Sequence, residues 1–246
     1  MSKKMKLVSR DMDIFTKISE LSYLTAKQLS VLFSVDIRRM NRRLKKLHDA
    51  GYIERVQRFT ASIYGKGEYA YFLTKKSVHE VLGYLGLPPE QAETIHETYP
   101  TISRLEHLLS INDFLIYLVA ACADSKMYSA KFIPEHRRLK EQGKLISYIR
   151  DIVVGTEGKA LEFTPDAVFY IENNKGKCLL FFLEIDTGCE TIHSESGKYY
   201  DVQGKLSAYS HYFDTKGYRR YDKEFNYHFN GFRILFVTSS EKRLQN

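Results

Sequence analysis

Cysteine is scarce: Cys122, Cys178 and Cys189 are all the chain has. Three is an odd number, and no two of them form a C-x-x-C pair. Neither a disulfide framework nor a zinc site is therefore expected, and the thiols read as reduced residues of a cytoplasmic protein. Long apolar runs are missing too. The longest, residues 114–123, lies between Asp113 and Asp124. It is about half of the ~20 residues that a membrane span needs, so it is expected as a buried helix and no membrane association follows. The basic start, Met1-Ser-Lys-Lys-Met-Lys6, runs into Arg10, Asp11 and Asp13 without the apolar stretch of a signal peptide. No G-x-x-x-x-G-K-[ST] loop occurs, which argues against ATP use. No His-hydrophobic-His triplet occurs either, which argues against a relaxase of that metal type despite 18 tyrosines. There is no repeat period and no low-complexity segment.

What is present suits a folded protein of one or two domains. The 246 residues are 43% hydrophobic and 27% charged, enough apolar material for a core. The net charge of +7 is unevenly held. Residues 1–80 carry 17 basic and 8 acidic side chains, a net of +9, and the remainder carries 20 and 22, a net of −2. A cationic first third joined to a slightly acidic remainder points to a polyanion held by the first third.

That first third reads as a winged helix-turn-helix. A helix starts near Ser9, with Asp11 and Asp13 in the first turn and Ile14, Phe15, Ile18 and Leu21 on one face. Thr25-Ala-Lys-Gln28 fits a capping box opening a short second helix, and Ser34 either ends it or caps the next one. A third helix is expected over residues 35–50, closed by Gly51 in a left-handed turn. Its apolar stripe is Ile37, Met40, Leu44 and Leu47. Opposite that stripe stand Arg38, Arg39, Arg42, Lys45 and Lys46, with Asn41 and Arg43 at the borders. Like charges four apart destabilise an isolated helix by a few tenths of a kcal/mol per pair, so a bound polyanion must reward the arrangement. Strands over residues 52–57 and 69–74 form the wing, with Gly65-Lys66-Gly67 at its tip. Double-stranded DNA is the expected partner, with the third helix in the major groove and the wing on flanking backbone. Arg38, Asn41 and Arg42 are placed to read bases, Lys45, Lys46, Arg58 and Lys66 to contact phosphates, and Arg39 and Arg43 are expected in the same DNA-binding set.

Residues 81–100 read as a linker carrying the end of a short helix, broken at Gly86-Leu-Pro-Pro89 and again at Tyr99-Pro100. Residues 102–123 make one apolar helix containing His107, which is expected as a satisfied core residue. Residues 101–246, this helix included, are expected to be an α/β domain with a mixed sheet. Its strands cover residues 132–135, 163–172, 177–186 and 232–238, and a helix covers residues 195–213. The overall class is α+β. A three-residue loop at Asn174-Lys-Gly176 pairs residue i with 350 − i, which sets Asp166 opposite Glu184, with Asp186 on the same face as Glu184. Three carboxylates so gathered need a hard cation or cationic partners.

Pro165-Asp166 followed by Glu184-Ile-Asp186 resembles the PD-(D/E)XK nuclease core, in which two acidic groups hold metal and a lysine two residues later helps to activate water. Asp186 stands where that lysine belongs, and Lys198 or Lys205 on the following helix could supply the charge instead. The resemblance makes Asp166, Glu184, Asp186 and Lys205 the candidate catalytic residues, with Mg2+ or Mn2+ held by the three carboxylates if the site is active.

The whole chain resembles the replication-relaxation family of plasmid and mobile-element proteins. The likeness is carried in order by Leu24-Thr-Ala-Lys-Gln-Leu29, Arg42-Arg-Leu-Lys-Lys-Leu47 with Gly51-Tyr-Ile53, Tyr71-Phe-Leu-Thr74, and Leu105-Glu-His-Leu108 with Ile111-Asn-Asp113. It continues through Thr164-Pro-Asp-Ala-Val168, Phe182-Leu-Glu-Ile-Asp-Thr-Gly188 with Glu190, and Leu235-Phe-Val-Thr238. It implies a DNA-binding winged helix fused to a nuclease-like domain, acting in plasmid replication, DNA relaxation or transfer. Expected partners besides DNA are replication or conjugation proteins and a second copy of the chain. Members continue into a helix after the segment ending at Thr238, so a shortened second domain is expected here. Two other functions fit the same residues: a metal-dependent DNA nickase, and a plain winged-helix transcriptional regulator.

Overall fold

The first helix, α1 (Ser9–Leu21), buries Ile14, Phe15, Ile18 and Leu21, the four positions that its 3.6-residue period aligns. In this computed structural model, residues 5–58, 67–95, 99–154, 160–186 and 202–238 are described. The chain divides into two compact units: residues 1–120 with 136–145, and residues 121–135 with 146–246.

In the first unit, β1 (Leu24–Thr25) leads into α2 (Ala26–Phe33) through the expected capping box. Gln28 N donates to Thr25 Oγ1 at 3.1 Å, and Thr25 N donates to Gln28 Oε1 at 2.8 Å. Ser34 adopts a left-handed conformation and ends α2. Asp36 then caps α3 (Ile37–Asp49), accepting from the amides of Arg38 and Arg39. Gly51, at φ 73°, closes α3 as expected, and its amide bonds to His48 O. A hairpin of β2 (Ile53–Gln57) and β3 (Tyr69–Leu73) follows, and β1 adds to β3 to make a sheet of order β1-β3-β2. Three helices and a hairpin are the element order read from the sequence. The wing tip residues Gly65 and Lys66 lie outside the described residues.

The boundary between units is not where the sequence reading places it. α4 (Lys75–Leu85) buries Ser77, Val78, Val81 and Leu82 inside the first unit, and Ser77 Oγ donates to Tyr52 O at 2.5 Å. After a short turn, α5 (Ala92–Ile95) follows and then α6 (Ile102–Ser125), whose residues up to Ala120 also belong to the first unit. The cause is a set of buried polar contacts. Asn112, fully buried, donates to Leu21 O and Tyr23 O at 2.8 Å each, and Gln28 Nε2 donates to Leu109 O and Asp113 Oδ1. By length and composition alone α6 could cross a membrane, its apolar window averaging 1.4 in hydropathy. Those buried hydrogen bonds make it a core helix of the first unit. The hairpin β5 (Arg138–Glu141) and β6 (Lys144–Ser147) was not foreseen; it turns through Gln142 and Gly143, both at positive φ.

The second unit is built on a four-stranded sheet of order β11-β10-β9-β4, made of β4 (Tyr128–Pro134), β9 (Ala167–Asn173), β10 (Cys178–Asp186) and β11 (Phe232–Thr238). β10 runs parallel to β11 and antiparallel to β9, so the sheet is mixed as expected. The connection from β10 to β11 includes α7 (Val202–Asp214) and α8 (Arg220–Phe225). Ala208, Tyr209 and Tyr212 of α7 join an aromatic core whose closest ring pair is Phe182–Phe232, 4.5 Å between centroids.

The run expected as one strand over residues 163–172 is two. β8 (Ala160–Phe163) pairs with β7 (Asp151–Val154) in a separate hairpin, and β9 begins only at Ala167. Pro165, which has no amide hydrogen to donate, sits in the break. Of the helix expected from residue 195, only the part from Val202 falls within the described residues, and Lys198, Gly188 and Glu190 fall outside them.

Candidate nucleic-acid interface

α3 buries Met40, Leu44 and Leu47 and exposes Arg38, Arg39, Asn41, Arg42, Lys45 and Lys46. The amphipathic period therefore sorts this helix as the sequence implies, with one exception. Ile37 is 40% exposed, because at the first helical position it lies beyond the stripe that packs on the unit. A shallow depression on this face is lined by Arg39, Arg42, Arg43, Lys45, Lys46 and Asp49. Arginine forks there suit phosphate or the O6/N7 edge of guanine, and Asn41 suits adenine.

Two of the cations expected to touch DNA are engaged elsewhere. Arg43 meets the fully buried Asp11: Nε donates to Oδ1 at 2.6 Å, and Nη2 donates to Oδ2. The hydrogen bonds to Asp11 raise the Arg43 pKa above its ordinary value. Asp11 Oδ2 also accepts from Val8 N at 2.8 Å, so one carboxylate ties the start of α1 to the middle of α3. Arg58, at the end of β2, donates through Nη2 to Glu106 Oε2 at 2.6 Å and through Nη1 to Glu68 Oε2 at 3.1 Å. Nothing in the sequence marks these partners, which lie 32 and 48 residues away in the case of Asp11 and Glu106. Lys66 lies outside the described residues. A cation that the sequence reading passed over, Arg55, is exposed with its guanidinium 4.3 Å from the Tyr69 ring centre. Lys76, 3.6 Å above the Tyr52 ring, donates to Ala50 O and so caps the negative end of α3.

The acidic site of the second unit keeps its expected register. Cys178 pairs with Glu172 and Leu183 with Ala167, which is the 350 − i relation. Asp166 accordingly adjoins Glu184: its amide donates to Leu183 O at 2.9 Å, and its Oδ2 accepts from Ile185 N at 2.6 Å. Glu184 is 3% exposed, and both of its oxygens have protein donors. Lys205 Nζ lies 2.9 Å from Oε2, and the Tyr209 hydroxyl lies 2.5 Å from Oε1. Burial lifts the Glu184 pKa to about 7, against the pull of Lys205 and with a push from Asp166. Burial beside Glu184 also raises the Tyr209 hydroxyl well above its ordinary value.

The metal set expected of Asp166, Glu184 and Asp186 does not assemble. Among the described residues, no group of three His, Cys, Asp or Glu side chains is placed to hold an ion. Lys205 takes the cation position at Glu184, and Asp166 turns an oxygen to the backbone. The residues present therefore do not fit a divalent metal. The sequence reading did reach Lys205 but missed Tyr209, one helical turn further along α7 on the same face.

A second buried carboxylate was missed altogether. Asp151 accepts from the hydroxyls of Tyr212 at 2.8 Å and Tyr221 at 3.1 Å, and it pairs with Arg220 Nη1. α7 thus anchors to two buried acids, Glu184 through Tyr209 and Asp151 through Tyr212. Asp151 and Arg220 are far apart in sequence, so only the fold brings them together.

No curated protein matches the chain. A crystal structure of a cysteine-to-serine mutant of MarR from E. coli, complexed with operator DNA, is similar at 20% identity, over 42% of this chain and 73% of the MarR chain. Its TM-score of 0.29 is too slight a likeness to define a shared fold. Residues 15–226, from α1 through α8, match the family model described as Replication-relaxation. With most of its length inside that match, the chain belongs to the replication-relaxation family.

Proposed function

We propose that the protein binds duplex DNA through α3 and acts in the replication, relaxation or transfer of plasmid or mobile-element DNA in the cytoplasm. The observation that carries the reading is the exposed face of Arg38, Arg39, Asn41, Arg42, Lys45 and Lys46, held outward by the burial of Met40, Leu44 and Leu47. Family membership supports the DNA-related role. In this reading Arg38, Asn41 and Arg42 reach base edges, while Lys45 and Lys46 neutralise phosphates. Selection of bound sequences from a random duplex pool tests the division of labour. Asn41→Ala is expected to relax discrimination at one position by about 1–3 kcal/mol, and Lys45→Ala to weaken all sequences alike. Uniform weakening by both would remove the base-reading assignment.

For the second unit we infer a nuclease-like scaffold without metal-dependent cutting. The order of three antiparallel strands, two helices and a parallel strand, with Asp166 just before β9 and Glu184 in β10, supports the PD-(D/E)XK likeness. The engagement of Glu184 by Lys205 and Tyr209 supports the absence of an ion. Incubation of supercoiled plasmid with protein and Mg2+ or Mn2+ is expected to leave it intact. Nicking abolished by Asp166→Ala and Glu184→Ala would establish the nickase instead.

A further inference from the structure

Arg58 is the one expected phosphate contact on the wing among the described residues, and its guanidinium faces two carboxylates. Nε lies 3.2 Å from each oxygen of Glu106, Nη2 lies 2.6 Å from Glu106 Oε2, and Nη1 lies 3.1 Å from Glu68 Oε2. The backbone fixes this arrangement from below, since Arg58 N donates to Glu68 O at 2.8 Å across the base of the hairpin. Glu106 comes from α6, which the buried Asn112 and the half-buried Asp113 hold against the α1–α2 corner of the same unit. Both the wing base and the acid that grips it are therefore fixed parts of one body.

The chemistry of the grip is also the chemistry of phosphate binding. A guanidinium presents two parallel N–H donors that match a carboxylate or a phosphate equally well. The three side chains are about a quarter to a third exposed, 24% for Arg58, 34% for Glu68 and 31% for Glu106. Ion pairs open to water to this extent are individually weak, so the grip on Arg58 depends on both carboxylates together. Two carboxylates around one guanidinium also leave a residual negative charge at the wing base, which repels DNA for as long as Arg58 remains engaged.

We propose that Glu106, with Glu68, is an electrostatic latch that withholds Arg58 from the DNA backbone and so limits sequence-independent binding by this unit. The latch rests on the reading that the unit binds duplex DNA. It assigns Glu106 a positioning role that acts through Arg58. In the latched protein Arg58 releases no counterion from DNA and adds nothing to the salt dependence of binding. Removing the Glu106 charge frees Arg58 for one phosphate.

Binding of the full chain to a fluorescent duplex of random sequence, measured across a salt series, tests this. Glu106→Gln keeps the side-chain shape and is expected to steepen the plot of log K against log salt by roughly 0.9, one phosphate contact, so that a tenfold dilution of salt strengthens binding about eightfold more than in the unaltered protein. Arg58→Ala alone is expected to leave the slope unchanged, and Arg58→Ala combined with Glu106→Gln to restore the original slope. A slope unmoved by Glu106→Gln, or lowered by Arg58→Ala alone, overturns the latch. If either result comes with a slope that Lys45→Ala and Lys46→Ala still reduce, the latch fails and the DNA-binding reading stands. Absence of salt-dependent binding by the unaltered protein overturns both.

Discussion

Arg43 sits in the middle of the cationic helix and directs its charge inward, onto an Asp11 that has no exposed surface. The two members of this pair differ in what they stand to lose. Arg43 is 26% exposed along its side chain and can turn toward water, whereas Asp11 cannot. Arg43→Met should therefore cost more than Asp11→Asn. About 3 kcal/mol is expected for the first, because it strands a buried carboxylate, and about 1 kcal/mol for the second. Urea denaturation of the two variants measures both. Equal costs, or the reverse order, would show that Asp11 is not held by Arg43.

His136 should make the first unit sensitive to acid. Its ring is buried, and Nε2 donates to Glu20 O, which fixes the neutral tautomer with the hydrogen on Nε2. Burial, with help from Arg138 and Arg104, pushes its pKa down to about 4. The folded value lies below the unfolded one, so the stability His136 contributes is complete above about pH 6.5 and is lost as pH falls toward 4. A loss on the order of 3 kcal/mol is expected over that window. His136→Gln should flatten the pH dependence of thermal unfolding there. A His136 imidazole resonance titrating near 6.5 in the folded protein would contradict the prediction.

Glu184 has the opposite sign. Its folded pKa is raised to about 7, so its stabilising contribution is present at low pH and declines as pH rises from about 4.5 through 7. Lys205 opposes that decline by favouring the charged form. Lys205→Met should therefore cost little at pH 5.5 and markedly more at pH 8.5, where the carboxylate must be charged without its ammonium. Melting temperatures of the variant and the unaltered protein at the two pH values provide the check. A difference independent of pH would mean that Lys205 contributes packing and no charge.

The parts legible in the sequence were those governed by local rules. The Thr25–Gln28 box, the Gly51 terminator and the Met40, Leu44, Leu47 stripe depend on neighbours a few residues away, and each is in place. The 350 − i register follows from the short turn ending in Gly176 at φ 74°, and it sets Asp166 beside Glu184. What escaped were relationships made by the fold. Charge on a helix wheel does not say that Arg43 is neutralised from α1, and the linker residues do not say that α6 will be fastened to Leu21, Tyr23 and Gln28. The apolar run through residue 163 hid the break at Pro165. A lysine reaching Glu184 was foreseen, but Tyr209 had no motif to announce it, because a buried tyrosine on an aromatic helix reads as core.

The central claim is that the exposed face of α3 meets DNA phosphates, and its most direct test is the salt dependence of duplex binding by Lys45→Ala combined with Lys46→Ala. Each lost phosphate contact lowers the slope of log K against log salt by about 0.9, so the double variant should bind more weakly with a slope smaller by roughly 2. An affinity and slope equal to those of the unaltered protein would contradict the account.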